Sequence, residues 1–230
     1  MKNIFKMLGI IVFIAVIGFA MTACDNDGGG GGGGGSSASL GTTLNLSGQV
    51  FTRDFDYDDD VFSFLPFDGT LAVTAVYYEE FDSYLLGGTG GITAGQLSFS
   101  IGTPNKTEPI GELLSYMMEN ANNLKISDTT VQAIDMNLDT PSGNLFRSHF
   151  TATNDERVSY FYVASDVTIS ADKSVITNPY DGDTETINAF TINLKTGWNA
   201  IRNRVVHTSS GVTITVSAAN PSNYRWVLFD

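Results

Sequence analysis

Hydrophobic and polar residues alternate with a period of two along much of the chain. Leu44 and Leu46 stand against Asn45 and Ser47, Leu97/Phe99/Ile101 against Ser98/Ser100, Ile134/Met136/Leu138 against Asp135/Asn137, and Val212/Ile214/Val216 against Thr213/Thr215/Ser217. Successive side chains of an extended strand point to opposite faces, so each run predicts a strand with one buried face. Beyond residue 157 the runs Tyr160–Ile169, Ile187–Leu194, Trp198–Val206, Gly211–Ala218 and Tyr224–Phe229 are separated by turn-forming residues. Those turns are Asp181-Gly182-Asp183, Lys195-Thr196-Gly197, Ser209-Ser210-Gly211 and Asn220-Pro221-Ser222-Asn223. Short strands at that spacing predict a mainly β fold, an antiparallel β-sandwich. One segment breaks the pattern. After Pro109, Ile110, Leu113, Leu114, Met117, Ala121 and Leu124 fall at helical spacing and predict a short amphipathic helix that packs on the sheets, followed by polar Lys125 and Ser127. The adjacent Met117 and Met118 point apart on such a helix and read as core. The region 105–128 is also where the sandwich would divide if it were two packed sub-sandwiches.

The first 40 residues follow different rules. Lys2 and Lys6 precede an apolar run from Leu8 to Ala20, which is 13 residues long and ends in Met21-Thr22-Ala23-Cys24. A membrane-spanning helix needs roughly 18 to 20 apolar residues, so residues 1–23 predict a removable signal peptide. Small residues directly before a cysteine resemble the lipobox of bacterial lipoproteins. That resemblance implies that Cys24 becomes the acylated first residue and holds the protein on a membrane of the cell envelope. Asp25-Asn26-Asp27, the glycines Gly28 to Gly35 and Ser36-Ser37-Ala38-Ser39 then make residues 24–40 a flexible tether. A coil of about 15 residues reaches on the order of 20 Å, which keeps the folded part, 41–230, close to the membrane but clear of its headgroups. No helical pattern and no Lys-Ser/Thr follows the glycines, so they are not a phosphate loop. Asp25 resembles an inner-membrane retention signal of enteric bacteria. The outer membrane or surface and the periplasmic face both stay open.

Composition narrows the class further. One cysteine among 230 residues excludes a disulfide framework or a cysteine metal cluster. The net charge of -13 is unevenly spread: residues 25–185 hold 24 acids and 6 bases, whereas 186–230 hold Lys195, Arg202, Arg204 and Arg225 against Asp230. Such a chain lacks the dense positive surface that nucleic acid, or docking of the body on anionic lipid, would require.

Candidate chemistry is sparse. His149 and His207 are the two histidines, and no G-x-S-x-G elbow accompanies them, which argues against a catalytic triad. His149 reads as a solvent-facing strand residue and His207 as the end of a strand. Zinc would need three or four ligands at recognisable spacing. In Asp54-Phe55-Asp56-Tyr57-Asp58-Asp59-Asp60 the alternating carboxylates of Asp54, Asp56, Asp58 and Asp60 mimic a calcium loop. The sixth position is Asp59 instead of Gly and the twelfth is Leu65 instead of Glu, so the competing reading is an acidic solvated loop between two strands. Asp181-Gly182-Asp183-Thr184-Glu185 is similarly oxygen-rich but reads first as a turn.

Tyr77-Tyr78-Glu79-Glu80-Phe81-Asp82-Ser83-Tyr84 gathers aromatic rings and carboxylates where a strand runs out. Rings stack on the apolar faces of sugars while carboxylates accept hydrogen bonds from hydroxyls. Tyr77, Tyr78, Glu80 and Tyr84 are therefore candidate glycan contacts, against the alternative that Tyr77 or Tyr78 completes the core. Glu79 and Glu80 are adjacent on a strand and would point to opposite faces, which disfavours a glycosidase pair. Trp198 and Trp226 read as core. Arg202 and Arg204 share a strand face and would meet an anionic ligand or, more simply, the acidic half of the same domain.

Two resemblances join these readings. Leu46-Ser47-Gly48-Gln49-Val50, Phe67-Asp68-Gly69-Thr70-Leu71 into Ala72-Val73-Thr74-Ala75-Val76, and Gly95-Gln96-Leu97-Ser98-Phe99 are similar to the transthyretin-like, carboxypeptidase-regulatory-like sandwiches, an alternative being an immunoglobulin-like sandwich. The segments Tyr162-Val163-Ala164-Ser165-Asp166-Val167-Thr168-Ile169, Lys195-Thr196-Gly197-Trp198-Asn199 and Arg225-Trp226-Val227-Leu228, together with the lipobox, resemble paralogous anchored lipoproteins of host-associated anaerobic bacteria. That resemblance implies class and location and no catalytic residue. The expectation is a lipid-anchored envelope protein that acts as a non-catalytic binding or adhesion module for glycans, with calcium as a candidate cofactor and no nucleic-acid partner. The alternative is a structural or assembly protein of the envelope with a protein partner, and a small hydrolase comes third.

Overall fold

The computed structural model describes residues 39–56, 61–79, 82–117, 124–150, 154–177, 184–209, 211–219 and 224–229. Cys24, most of the tether, Asp58, Asp60 and Glu80 lie outside them. In chain order the described strands are β1 (Ser39–Gly41), β2 (Leu44–Asp56), β3 (Val61–Pro66), β4 (Leu71–Ala72), β5 (Thr74–Glu79), β6 (Asp82–Gly87), β7 (Thr89–Thr93), β8 (Gln96–Ile101), β9 (Glu108–Pro109), β10 (Leu124–Ile126), β11 (Gln132–Thr140), β12 (Gly143–Phe150), β13 (Asn154–Val163), β14 (Val167–Ala171), β15 (Ser174–Thr177), β16 (Thr184–Ile187), β17 (Phe190–Leu194), β18 (Gly197–Thr208), β19 (Gly211–Ala218) and β20 (Arg225–Phe229). Among the described residues there is one helix, α1 (Ile110–Met117), which packs on β9 and β11.

The architecture is mainly β and sandwich-like, with a large bent sheet and a small antiparallel sheet of β10, β14 and β17. Two pairs, β2 with β20 and β16 with β19, run parallel, so the large sheet is mixed and not purely antiparallel. β2 explains the bend. Its first half, Leu44–Gln49, pairs with β8, whereas Val50–Asp56 pairs with β20 and β3. One strand thus belongs to both layers, and the crossing falls between Gln49 and Val50, just after Gly48, whose φ of 136° is open to glycine and strained for other residues. A Cβ there would lie 3.2 Å from Cδ1 of Trp226, whose Nε1 donates to the Ser47 carbonyl at 3.0 Å.

Trp198, Trp226 and Tyr160 are fully buried in a core that runs from Leu44 to Leu228. Burying such large rings supplies much of the stability of a sandwich. The alternating run of β11 behaves as expected on one side, with Ile134, Met136 and Leu138 buried, but Asp135 and Asn137 are buried as well. The run Tyr160–Ile169 is broken at Ala164–Asp166, where β14 leaves β13 for the small sheet. The turn Lys195-Thr196-Gly197 holds the junction: Asp166 accepts from the Thr196 N–H at 2.9 Å and from Lys195 Nζ at 2.7 Å. Asn199 Oδ1 accepts from the Lys195 N–H at 2.8 Å.

The helix differs from its expected extent. It is described to Met117, and Leu124 and Lys125, read as its end, lie in β10 opposite Ala171 and Ser170. Strand pairing outcompetes helical spacing there because Leu124 and Ile126 fit the period of two equally well.

Candidate functional site

The register of the β5–β6 hairpin decides what the aromatic and acidic cluster can do. Tyr77 lies opposite Tyr84, Tyr78 opposite Ser83 and Glu79 opposite Asp82. Directly opposed residues share a face and successive residues alternate, so Tyr77, Glu79, Asp82 and Tyr84 share one face while Tyr78 belongs to the other. A single platform of Tyr77, Tyr78 and Tyr84 therefore does not form. Tyr77 is a second correction: at 5% exposure it is a core residue, and its hydroxyl donates to Glu108 Oε1 at 2.6 Å.

The Tyr84 face borders a notch in the large sheet. Along one edge of β11, β9 pairs with Gln132 and Ala133 and β5 pairs with Asn137 to Asp139. Ile134, Asp135 and Met136 between them have no strand partner on that edge among the described residues, their pairing being with β13 on the other side. The connection from β8 to β9 brings Lys106 and Glu108 to this notch. It is pinned by the Trp198 Nε1 donation to the Gly102 carbonyl at 2.8 Å and by the Asn105 N–H donation to the Leu86 carbonyl at 3.0 Å. Lys106 Nζ lies 2.5 Å from Glu79 Oε2, 3.5 Å from the Tyr84 ring centroid and 5.0 Å from that of Tyr77. Contacts of this kind contribute about 0.5 to 2 kcal/mol each, more as water is excluded. Here they fix the Tyr84 ring, 37% exposed, against a cation on one side.

In β11, burial pushes the Asp135 carboxyl up to about 7, with the Glu108 carboxylate adding to the rise and the residue's own backbone N–H opposing it. Asp135 is 7% exposed. Burial first, and then the bond to Glu108, raises the Tyr77 hydroxyl far above the ordinary tyrosine value. The notch thus holds a fixed ammonium, an exposed ring and the Glu79 and Glu108 carboxylates, groups that can hydrogen-bond or stack on a polyhydroxylated molecule, whereas Asp135 belongs by register to the Tyr78 face and is buried.

On the opposite face the Tyr78 hydroxyl donates to Asp139, whose other oxygen accepts from Asn144 Nδ2 at 2.7 Å. Burial and that bond push the Tyr78 hydroxyl up to about 12. Nearby Leu85 is 67% exposed.

Other sequence candidates are placed differently. Asp54 and Asp56 continue β2 in regular antiparallel register with Ser63 and Val61, so this half of the acidic segment is a ladder strand and not a curled loop. Asp58, Asp60 and Glu80 lie outside the described residues, as does Cys24. No group of three or more His, Cys, Asp or Glu side chains that could hold a metal ion is found among the described residues. His149 and His207 are both exposed strand residues. Arg202 and Arg204 turn to Glu156, at 3.9 and 3.1 Å, as the simpler of the two readings expected.

Sequence reasoning missed Lys106, Glu108 and Asp135. Asp135 sits at a polar position of an alternating strand and reads as solvent-facing. Lys106 and Glu108 lie in a connection whose destination has no local signal. No family model matches the chain, and neither a curated protein nor a solved structure matches it.

Proposed function

We propose that this chain is a lipid-anchored protein of the bacterial cell envelope whose β domain binds glycan without transforming it. The observation that carries the binding reading is the Tyr84 ring, exposed on one side and held by Lys106 at 3.5 Å on the other, beside Glu79 and Asp82 on the same hairpin face. A sugar face stacks on such a ring while the charged pair and Asp82 exchange hydrogen bonds with its hydroxyls. Anchoring rests on the lipobox-like Met21-Thr22-Ala23-Cys24 and the glycine tether.

The test is a binding screen of the full-length protein in detergent against soluble glycans and insoluble polysaccharides, run with calcium and with chelator. Binding that Tyr84→Ala weakens by about twofold to tenfold supports the reading, since aromatic stacking contributes about 0.5 to 1.5 kcal/mol. No binding in either buffer refutes it. Acylation is checked separately by mass spectrometry of the N-terminal peptide, with Cys24→Ser expected to release the protein from the membrane fraction.

A second reading, a structural or assembly role with a protein partner, is favoured by the opposite face of the hairpin. There Tyr78 of β5 is 38% exposed and Leu85 67%, the latter on β6, an edge strand whose partner among the described strands is β5. A crosslinked partner in intact cells that is lost on Leu85→Lys supports it.

A further inference from the structure

One outer face of this acidic chain carries no charge. Residues 40–52, 69–78 and 83–105 hold no Asp, Glu, Lys or Arg, in a chain that is 16% charged. They supply β4, β7, β8 and the first half of β2, which pair in the order β2, β8, β7, β4. Leu44, Leu46, Ile92, Leu97 and Phe99 line the inner, buried face of these strands. The outer face is made of amides, hydroxyls and glycine.

Opposed residues share a face, so register arranges the outer side chains in three rows that run across the strands. Ser47, Ser98, Gly91 and Ala72 form the middle row. Gln49, Gln96 and Thr93 flank it on one side, and Asn45, Ser100 and Thr89 on the other. No side chain of the middle row extends beyond a single oxygen, whereas Gln49, Gln96 and Asn45 rise beside it. The rows therefore form a trough across four strands, about 14 Å long and with walls about 13 Å apart, from ordinary strand spacing and rise. A Cβ at Gly91 would lie 2.9 Å from the Leu71 carbonyl oxygen, which keeps that point of the floor at backbone level. All these positions are exposed or half-buried.

Cross-strand bonds hold the walls in place. Gln49 Nε2 donates to the Phe67 carbonyl at 3.0 Å, and its Oε1 accepts from Gln96 Nε2. Ser100 Oγ donates to Asn45 Oδ1 at 2.8 Å. The Asn45 amide donors, Gln96 Oε1 and the hydroxyls of Ser47, Ser98, Thr89 and Thr93 keep their capacity, having no hydrogen-bond partner among the described residues.

We infer that this trough binds a neutral polysaccharide chain laid across the strands. A charged polymer meets no counter-charge here. A protein partner or a membrane meets none of the aromatic, methionine or arginine anchors that carry such contacts. A neutral glycan presents neighbouring hydroxyls that donate and accept at once, and Asn, Gln, Ser and Thr do the same. Side chains already fixed by cross-strand bonds lose little freedom when it binds. The Tyr84 hairpin lies on β5 and β6, so this is a second site and does not rest on the first.

The test measures retardation of the full-length protein in detergent by hydroxyethyl cellulose, galactomannan and laminarin in native gels. Carboxymethyl cellulose serves as the charged counterpart of the first. At least one neutral polymer is expected to retard the protein equally between about 50 and 500 mM salt, because no charge pair is there to be screened. Ser98→Gln fills the floor without adding charge and is expected to weaken this about tenfold. Gln96→Ala, at the rim, leaves the floor intact and should weaken it about twofold to tenfold. Tyr84→Ala leaves it unchanged, and an unchanged melting temperature for both trough variants shows that the loss is local. Absence of retardation by every neutral polymer overturns the inference, as does equal retardation of wild type and both trough variants. Binding lost on Tyr84→Ala but kept by the trough variants places the glycan on the hairpin and overturns it too. Stronger retardation by carboxymethyl cellulose overturns it as a charge effect, and self-association abolished by Ser98→Gln reassigns the face to a second copy.

Discussion

Replacing Asp135 with Asn removes a charge from the sheet interior while keeping shape and hydrogen-bonding capacity. An ordinary aspartate titrates near 3.8, and this one, 7% exposed, is pushed up to about 7, chiefly by burial. At 1.36 kcal/mol per pH unit that interval corresponds to about 4 kcal/mol, a large share of the 5 to 15 kcal/mol that holds a typical domain together. The sign follows from proton counting. Below pH 3.8 both states carry the proton and burial has no ionic penalty. Between 3.8 and 7 the folded state holds a proton that the unfolded state releases, so stability falls by up to about 1.4 kcal/mol per pH unit. Above 7 the folded chain bears the buried charge and the full penalty stands. Urea unfolding of wild type and Asp135→Asn across pH 3.5 to 8.5 isolates this effect, since subtraction cancels the titration of the other acidic residues. Asp135→Asn is expected to match wild type near pH 3.5, to gain on it up to pH 7 and to level off at up to about 4 kcal/mol above. Glu108→Gln removes the neighbouring charge, which lowers the folded-state value, so the fall in stability should end at a lower pH and level off at a smaller penalty. A stability difference that does not change with pH refutes the reasoning.

Glu185 is 3% exposed, its Oε1 has no hydrogen-bond partner among the described residues, and burial raises its carboxyl. Glu185→Gln is therefore expected to raise the melting temperature at pH 8, by an amount equivalent to about 1 to 3 kcal/mol, and to lose that advantage below about pH 4.5. Gly48→Ala places a methyl at φ 136° and 3.2 Å from Trp226, and should cost about 1 to 3 kcal/mol in urea unfolding. Asp166 is held below the usual carboxylate range by its bonds to Lys195 and Thr196, so the stability it lends is present at neutral pH and fades as pH falls through that lowered value. Asp166→Ala should accordingly speed amide exchange in the Lys195–Gly197 turn at pH 7 more than at pH 3.

The strand content of this protein was legible because a period of two needs no tertiary information. Leu97/Phe99/Ile101 and Ile134/Met136/Leu138 bury as their pattern requires. The limits of local reading show at Leu124, where helical and strand spacing coincide, and at Asp135, where a polar residue of an alternating strand ended inside the protein. The candidate glycan cluster was found as a group of residues, but its members were assigned to one surface. Hairpin register is a property of two strands, and it put Tyr78 on one face and Tyr84 on the other.

The sequence by itself determined the class of fold, the burial of both tryptophans and the expectation of an anchored, exported chain, since each depends on composition, periodicity or a contiguous signal. Only the tertiary structure decided that Lys106 meets Tyr84 and Glu79, that Asp135 lies buried beside Glu108, and that Ser47, Ser98, Gly91 and Ala72 line up across four strands. Those groups are up to 51 residues apart in the chain, as Ser47 and Ser98 are. Strand order and register, which depend on pairing across the whole sheet, bring them together.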